Sequence, residues 1–355
     1  MKRQRYFLLF AFSIMVFLIS GCDKSSGGIS ILSTAQDFRS SPSTVNNQLD
    51  ILFVINDQPS MSSFQTALVT SMSTFMNTFQ QKGFDYKIAV VTTSAYLADP
   101  TLAGYSPINA ADADFNDYNG LVHSYMPVIT PADPNLLSNF EINAKPSKNT
   151  SGQDGRTFSS FRQALRNQGP VNYGFLRPNS FLAIIIVDNQ DDFSGNGRCS
   201  GCNISGRYNA PTLDSVSVYT NFLNNLTGTS GSLARYNVSA MTQIAKPCQG
   251  GTTMTRIIEL ANQTNGVLGD ICQADFGPSM AAIADQITLL STQYFLDRVP
   301  IVSSITVTID GVSIPQSSTN GWTFDSAANS IQFHGSAIPQ QGASIIVNYD
   351  PTTLL

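Results

Sequence analysis

Asp112, Asp114, Asn116 and Asp117, followed by Asn119-Gly120, place oxygen donors at alternate positions, which is how a calcium loop begins. The sixth position of such a loop needs glycine and here holds Asp117. The twelfth needs a bidentate Glu and here holds His123, so a solvated acidic turn is the stronger reading. Cys199 and Cys202 form C-x-x-C in a Gly- and Ser-rich loop, with Cys248 and Cys272 standing apart. Three chemistries compete for these thiols. A redox pair should open a helix after a strand, which this loop does not do; zinc would draw on all four; disulfides need an oxidising compartment. Acid–base and nucleophilic catalysis find little support. The chain has two histidines, His123 and His334, in different regions, and only two glutamates, and it lacks G-x-S-x-G, a Ser-His-Asp order and a phosphate loop. It is expected not to be an enzyme.

The compartment follows from the amino terminus. Lys2, Arg3 and Arg5 precede an apolar run from Tyr6 to Ile19, then come Ser20, Gly21 and Cys22. A basic start, an apolar stretch and small residues before a cut describe a secretory signal peptide over residues 1–21. Ile19-Ser20-Gly21-Cys22 resembles a bacterial lipobox, which implies cleavage before Cys22 and a lipid on its sulfur. More than one acyl chain would anchor the protein stably. In enteric bacteria an Asp after that cysteine, here Asp23, tends to hold a lipoprotein at the inner membrane, so the outer membrane and the periplasmic face of the inner membrane both stay open. Export leaves four cysteines, an even number, and two disulfides are expected, with local pairing 199–202 and 248–272 chosen among three connectivities. Loss of residues 1–21 would leave 16 basic against 24 acidic side chains. Such a balance argues against nucleic acid, which needs clustered Lys and Arg. Residues 22–47, rich in Ser, Gly, Thr and Asn, read as a flexible tether.

The remaining chain alternates strand and helix signals. Ile51 to Ile55 is a short apolar run ended by Asn56, Asp57 and Pro59, as expected of a buried strand of a parallel sheet. Met61, Phe64, Leu68, Met72, Phe75 and Phe79 then recur at helical spacing. Strand, polar turn and helix together put a polar loop at the carboxyl end of the strand, where ligands of such sheets sit. Tyr86–Thr93 and Phe181–Val187 read as further buried strands. Leu213–Leu226, Thr255–Gln263 and Met280–Leu296 read as helices, Tyr236–Met241 as a strand and Val267–Cys272 as an edge strand. Residues 94–149 and 193–211 read as insertions, the first too long for an ordinary connection. From Val299 the period becomes two, and Asp310-Gly311 is a hairpin signal. The lone Trp322 suits a core better than a sugar platform. The expected architecture is α/β, a doubly wound and mostly parallel sheet over 48–297, followed by a small all-β, sandwich-like module over 298–355.

The stretch Asp50–Ser62, DILFVINDQPSMS, resembles the first strand of a von Willebrand factor A-type (vWA) domain, where an apolar strand ends in D-x-S-x-S, the start of a metal-ion-dependent adhesion site (MIDAS). Aligned on the strand, Asn56, Gln58 and Ser60 take the three ligand positions, and only Ser60 keeps the family residue. Gly174-Phe175-Leu176-Arg177-Pro178 and the run ending in Asp188-Asn189-Gln190-Asp191-Asp192 are similar to the GFLR…LAVIIVSDEDD segment of bacterial lipoproteins carrying this domain. In that alignment Asn189 replaces the last ligand carboxylate. The family also takes a ligand from a Ser or Thr before the intervening helix. Thr150 or Ser151 fits best by spacing, and Thr157 is the alternative.

The resemblance implies a MIDAS-like cleft, but a degenerate one. Amide oxygens donate without neutralising charge, so Mg²⁺ or Ca²⁺ would be held weakly at best and no cofactor is expected. Asp57, Asp188, Asp191 and Asp192 could compensate only if the loops shift by a residue, because adjacent side chains leave a strand on opposite faces. The family's usual role implies adhesion or protein–protein contact with a protein or other cell-surface macromolecule, with the membrane reached through the N-terminal lipid. The rival expectations are a structural or assembly part of an envelope complex with a vestigial metal site, and a metal-dependent hydrolase.

Overall fold

A computed structural model of the chain describes residues 43–44, 47–98, 128–145, 155–166, 174–195, 213–244, 248, 254–340 and 342–352. The leader, Cys22, most of the tether, the Asp112–His123 loop, Thr150, Ser151, Cys199 and Cys202 lie outside the described residues. In chain order the first elements are β1 (Ser43–Thr44), β2 (Gln48–Ile55), α1 (Ser62–Gln81), β3 (Asp85–Thr92), α2 (Leu136–Ala144), α3 (Thr157–Arg166) and β4 (Phe181–Val187). There follow α4 (Val216–Thr227), β5 (Tyr236–Thr242), α5 (Thr255–Gln263), β6 (Leu268–Asp270), α6 (Gly277–Ser291) and β7 (Tyr294–Phe295). The last five strands are β8 (Thr306–Ile309), β9 (Val312–Ile314), β10 (Gly321–Asp325), β11 (Ser330–His334) and β12 (Ser344–Asn348).

Five strands form a parallel sheet in the order β3-β2-β4-β5-β6. The apolar runs of β2 and β4 lack a polar face because both sides are covered. Ile51, Phe53 and Ile55 pack into one core with α1, α2 and α6, while Leu52 and Val54 pack into a second core with α3, α4 and α5. Phe53 meets Phe75 of α1 and Phe140 of α2 edge-on, at centroid separations of 5.8 and 5.0 Å. Each such buried side chain contributes roughly 1.5–3 kcal/mol.

A buried ion pair fastens the amino end of the sheet. Asp50 of β2 is fully buried. It accepts hydrogen bonds from the Arg177 backbone N–H (2.7 Å), Arg177 Nε (2.8 Å) and Ser180 Oγ (2.6 Å). The same guanidinium donates to the Leu49 carbonyl at 3.1 Å and the Asp85 carbonyl at 2.8 Å, so one side chain ties β2, β3 and the entry to β4 together. Burial pushes the Asp50 carboxyl up, against the lowering effect of Ser180 and Arg177. The Phe-Leu-Arg-Pro segment before β4 thus has a structural purpose.

The small module contains two antiparallel sheets, β1-β12-β8-β9 and β10-β11-β7, around Val307, Trp322, Ile331, Phe333 and Val347. Trp322 is a core residue whose indole N–H donates to the Ile314 carbonyl at 2.9 Å. Asp310 and Gly311 both adopt positive φ (50° and 80°), as a tight hairpin between β8 and β9 requires.

Several boundaries differ from expectation. The tether does not run to residue 47, because Ser43 and Thr44 pair with β12 and Asn47 is buried, donating to the Pro339 carbonyl. The helix expected to reach Leu296 stops at Ser291, and Tyr294 pairs with Ile331 of β11 instead of extending an apolar helical stripe. The module is therefore completed by strands on both sides of the α/β sheet in sequence. The 94–149 insertion is partly core: Ile129 bridges Ile88, and Leu136, Phe140 and Ala144 of α2 are buried against α1 and β2. Leu268–Asp270 is all that forms of the edge strand. No helix among the described residues is long and apolar enough to cross a membrane.

Replacing Arg177 by Met strands Asp50 as a buried unpaired carboxylate. Denaturant unfolding is expected to show a loss of about 3–5 kcal/mol, with much of it recovered in an Arg177→Met/Asp50→Leu double variant.

Candidate functional site

The ends of β2 and β4 lie side by side. Ile55 pairs with Val187, and the Asn56 N–H donates to the Val187 carbonyl at 3.0 Å as the last rung of the ladder. Beyond this rung both chains leave extended geometry, and their polar side chains meet over the sheet.

Asp188 stands at the centre and is fully buried. Its Oδ1 accepts from Asn56 Nδ2 (2.7 Å) and the Gln190 N–H (2.9 Å), and its Oδ2 accepts from Thr157 Oγ1 (2.8 Å). Asn56 Nδ2 also lies 3.5 Å from Asn189 Oδ1, and Asn189 Nδ2 donates to Ser60 Oγ at 3.3 Å. Above them Gln58 and Gln190 exchange amide hydrogen bonds of 3.3 and 2.8 Å. Asn189 is nearly buried, Gln58 and Gln190 are partly exposed, and Ser60 is exposed. The five positions Asn56, Gln58, Ser60, Asn189 and Asp188 are thus brought to one place.

The orientation of Asn56 is fixed by chemistry. Its Oδ1 accepts the Gln58 backbone N–H at 2.8 Å, and a backbone N–H can only donate, so the amide nitrogen must face Asp188. Thr157 likewise turns its hydroxyl hydrogen toward that carboxylate. A hard divalent cation needs inward-facing oxygen lone pairs and several carboxylates. Here donors point inward, and both oxygens of the one central carboxylate are engaged. As arranged, the donor set does not fit such a cation. Among the described residues no cluster of three or more His, Cys, Asp or Glu side chains could hold a metal ion.

The neighbouring aspartates have other partners. Asp57 turns away from the cleft and accepts from Ser94 Oγ at 2.8 Å and Thr93 Oγ1 at 3.4 Å beyond the end of β3. Asp191 receives the Arg256 and Ile257 N–H groups, both at 3.1 Å, and Thr255 Oγ1 at 2.9 Å, capping the amino end of α5. Asp192 receives the Phe158 N–H of α3 at 2.9 Å and pairs with Arg256 at 3.0 Å. Asp57, Asp191 and Asp192 are therefore not reserve ligands. Asp188 does reach the cleft although Asn189 reaches it too, because after Val187 the backbone turns and strand alternation no longer applies. Thr157, the alternative to Thr150 and Ser151, which lie outside the described residues, joins the Ser60 hydroxyl at the site. The available sequence signal was its position at the first turn of α3, one residue before the apolar stripe.

Burial drives the Asp188 carboxyl up to about 7. The bonds from Asn56, the Gln190 N–H and Thr157 oppose the rise, and the charge on Asp192 adds to it. Burial also raises Asp191 and Asp192, against their backbone donors and Arg256.

Support comes from β5 and its loop. Thr242 Oγ1 donates to the Asp188 carbonyl at 2.9 Å, and Gln243 Nε2 donates to the Asn189 carbonyl at 2.6 Å. Gln243 Oε1 in turn accepts the Cys248 N–H at 3.0 Å, and Cys248 is disulfide-bonded to Cys272 as expected. The disulfide is thus two hydrogen bonds from the cleft.

No protein-family model and no curated protein sequence matches the chain. Several solved structures are similar to it. Proximal thread matrix protein 1 from the mussel byssus is 10% identical with a TM-score of 0.37; the match covers 73% of this chain and 52% of that one. Another structure of that protein, with a zinc-occupied MIDAS motif, matches equally. The pilus adhesin SpaC from Lactobacillus rhamnosus GG, in an open conformation, is 12% identical with a TM-score of 0.40, covering 86% of this chain and 39% of that one. The chain thus spans about half the length of the first and two fifths of the second. What the cleft can do rests on its own atoms.

Two outcomes follow. Because the folded pKa of Asp188 lies above its unfolded value of 3.8, the carboxylate opposes folding above about pH 7. That cost is relieved as the pH falls through 7 toward 4. Asp188→Asn is therefore expected to be more stable than wild type at pH 8, with the difference in Tm shrinking on titration to pH 5. Separately, the Cys248–Cys272 link joins residues 24 apart in sequence. Cys248→Ser/Cys272→Ser is expected to lose about 3 kcal/mol in denaturant unfolding.

Proposed function

We propose that this chain is a lipid-anchored bacterial cell-envelope protein that holds a protein or other cell-surface macromolecule at the carboxyl end of its α/β sheet, without a resident divalent cation and without catalysis. The N-terminal residues 1–22 support the anchoring, through their basic start, apolar run and terminal cysteine. The observation that carries the binding role is the layering of the cleft. A saturated, buried Asp188 lies beneath partly exposed Gln58 and Gln190 and exposed Ser60, which can each donate and accept toward a partner.

In a cation-dependent adhesion site the metal would bridge to an acidic group of the partner. Here the partner is met by amides and a hydroxyl, so recognition depends on hydrogen-bond geometry. The Gln58–Gln190 pair would open and exchange its internal bonds for bonds to the ligand at little enthalpic loss. A second reading, an assembly component whose cleft is inert, is favoured by the complete internal pairing of Asp188.

Calorimetric titration with Mg²⁺, Ca²⁺ and Mn²⁺ is expected to give no binding tighter than about millimolar, and a micromolar Kd would overturn the cation-free reading. Pull-down from intact envelopes in chelator is expected to retain the partner with wild-type protein and lose it with Gln58→Ala/Gln190→Ala. A partner held equally well by that variant places the contact elsewhere and favours the assembly reading.

A further inference from the structure

A cavity of about 620 Å³ opens at the junction of the α/β sheet and the small module, at the amino end of β5 and so away from the cleft. Six carboxamide side chains line it: Asn224, Gln263, Asn265, Gln286, Gln293 and Gln332. They come from five places in the chain. Asn224 is on α4, Gln263 and Asn265 are at the end of α5, Gln286 is on α6, Gln293 follows α6, and Gln332 is on β11. Neither arginine nor lysine lines the cavity. The one carboxylate, Asp325, is already engaged by the Ala327 N–H at 2.9 Å, the Ala328 N–H at 3.2 Å and Gln332 Nε2 at 3.1 Å.

The amides are only partly used by the protein. Asn224 Oδ1 accepts from Tyr236, Gln263 Nε2 donates to Glu259, Gln286 Nε2 donates to the Asn265 carbonyl, and Gln332 Nε2 donates to Asp325. Each of these four keeps its other amide atom free of a protein partner among the described residues. The side-chain amides of Asn265 and Gln293 keep both. Leu289 and Leu290 of α6 add a partly exposed apolar strip beside them.

This chemistry selects its ligand by exclusion and by fit. A phosphate, nucleotide or acidic peptide would find no cation, and a metal or polyamine would find no free carboxylate. A carboxamide presents a donor and an acceptor side by side, matching vicinal hydroxyls that must each donate and accept. The apolar strip suits the C–H face of a pyranose, and the volume lies within the usual range of about 300–1,000 Å³ for small-ligand sites.

We propose that this junction cavity binds a short neutral oligosaccharide. Because the walls come from both the α/β sheet and the small module, an occupied site would also brace one against the other. The proposal does not depend on the cleft, and its test is separable from that of the cleft.

Calorimetric titration of the whole chain with neutral β-linked and α-linked oligosaccharides, and with a uronic-acid oligomer as anionic control, addresses it. At least one neutral sugar is expected to bind at millimolar Kd or tighter, about tenfold more weakly to Gln286→Leu/Gln293→Leu, and unchanged to Gln58→Ala/Gln190→Ala. Thermal melting without sugar checks that the cavity variant is folded. Absence of binding by every neutral sugar, preference for the anionic control, or binding unaffected by the cavity variant would each overturn the proposal.

Discussion

The structure turns on the register between β2 and β4. Pairing Ile55 with Val187, and closing the ladder with the Asn56 N–H on the Val187 carbonyl, obliges both chains to leave the sheet at the same height. Everything polar at that end follows. The side chains that emerge there have strands on both sides and helices on both faces, so water is scarce and each buried polar atom must find a partner within the protein. A shift of one residue in either strand would take Asn56 out of line with Asp188 and cost that buried carboxylate its donor from β2.

The five residues after β4 convert this constraint into an organising loop. Asp188 collects β2 through Asn56 and α3 through Thr157, Asp191 caps α5, and Asp192 caps α3 and pairs with Arg256. Carboxylates at helix amino ends meet unsatisfied N–H groups and the positive end of the helix dipole, so at Asp191 and Asp192 these donors, with Arg256, offset part of the cost of burial. Asp188 faces side-chain donors and a single backbone N–H instead, and burial raises its proton affinity as it does that of Asp191 and Asp192. One short acidic segment therefore fixes the docking of two helices and the chemistry of the cleft.

How much of this was legible in the sequence depends on the kind of signal. The buried strands were plain because β2 and β4 are apolar on both faces, and Asp310-Gly311 marked its hairpin because few residues tolerate two successive positive φ angles. Thr255–Gln263 was read to the residue, since its apolar stripe is strong and its start is polar. Other features carried no local signature. Residues 43–44 form a strand only because β12 offers them an edge, and Tyr294 fits a helical spacing as well as it fits β7. The helix at Leu136–Ala144 is short, and its burial depends on Phe53 and α1, far away in sequence. In the site, Asn56, Gln58, Ser60 and Asn189 lie together, yet nothing local distinguishes an aspartate that caps a helix from one that faces a cleft.

The pairing of Asn56 with Asp188 is best understood by asking what a carboxylate at position 56 would do. Two carboxylates in hydrogen-bond contact, in a site this dry, would each hold the other's charge off, and one would keep a proton unless a cation neutralised both. The amide removes that need, because its nitrogen donates to Asp188 while its oxygen satisfies the Gln58 N–H. Asn56 thus supplies by hydrogen bonding the compensation that a divalent ion would supply by charge. Its oxygen is also withdrawn from any coordination role, so changing Asn189 alone would restore only half of a cation site. The same logic explains why the outer layer is neutral. With one buried carboxylate already hard to ionise, an acidic residue at position 58 or 190 would raise its proton affinity further. Glutamine at both positions keeps a polar surface for a partner without adding to that burden.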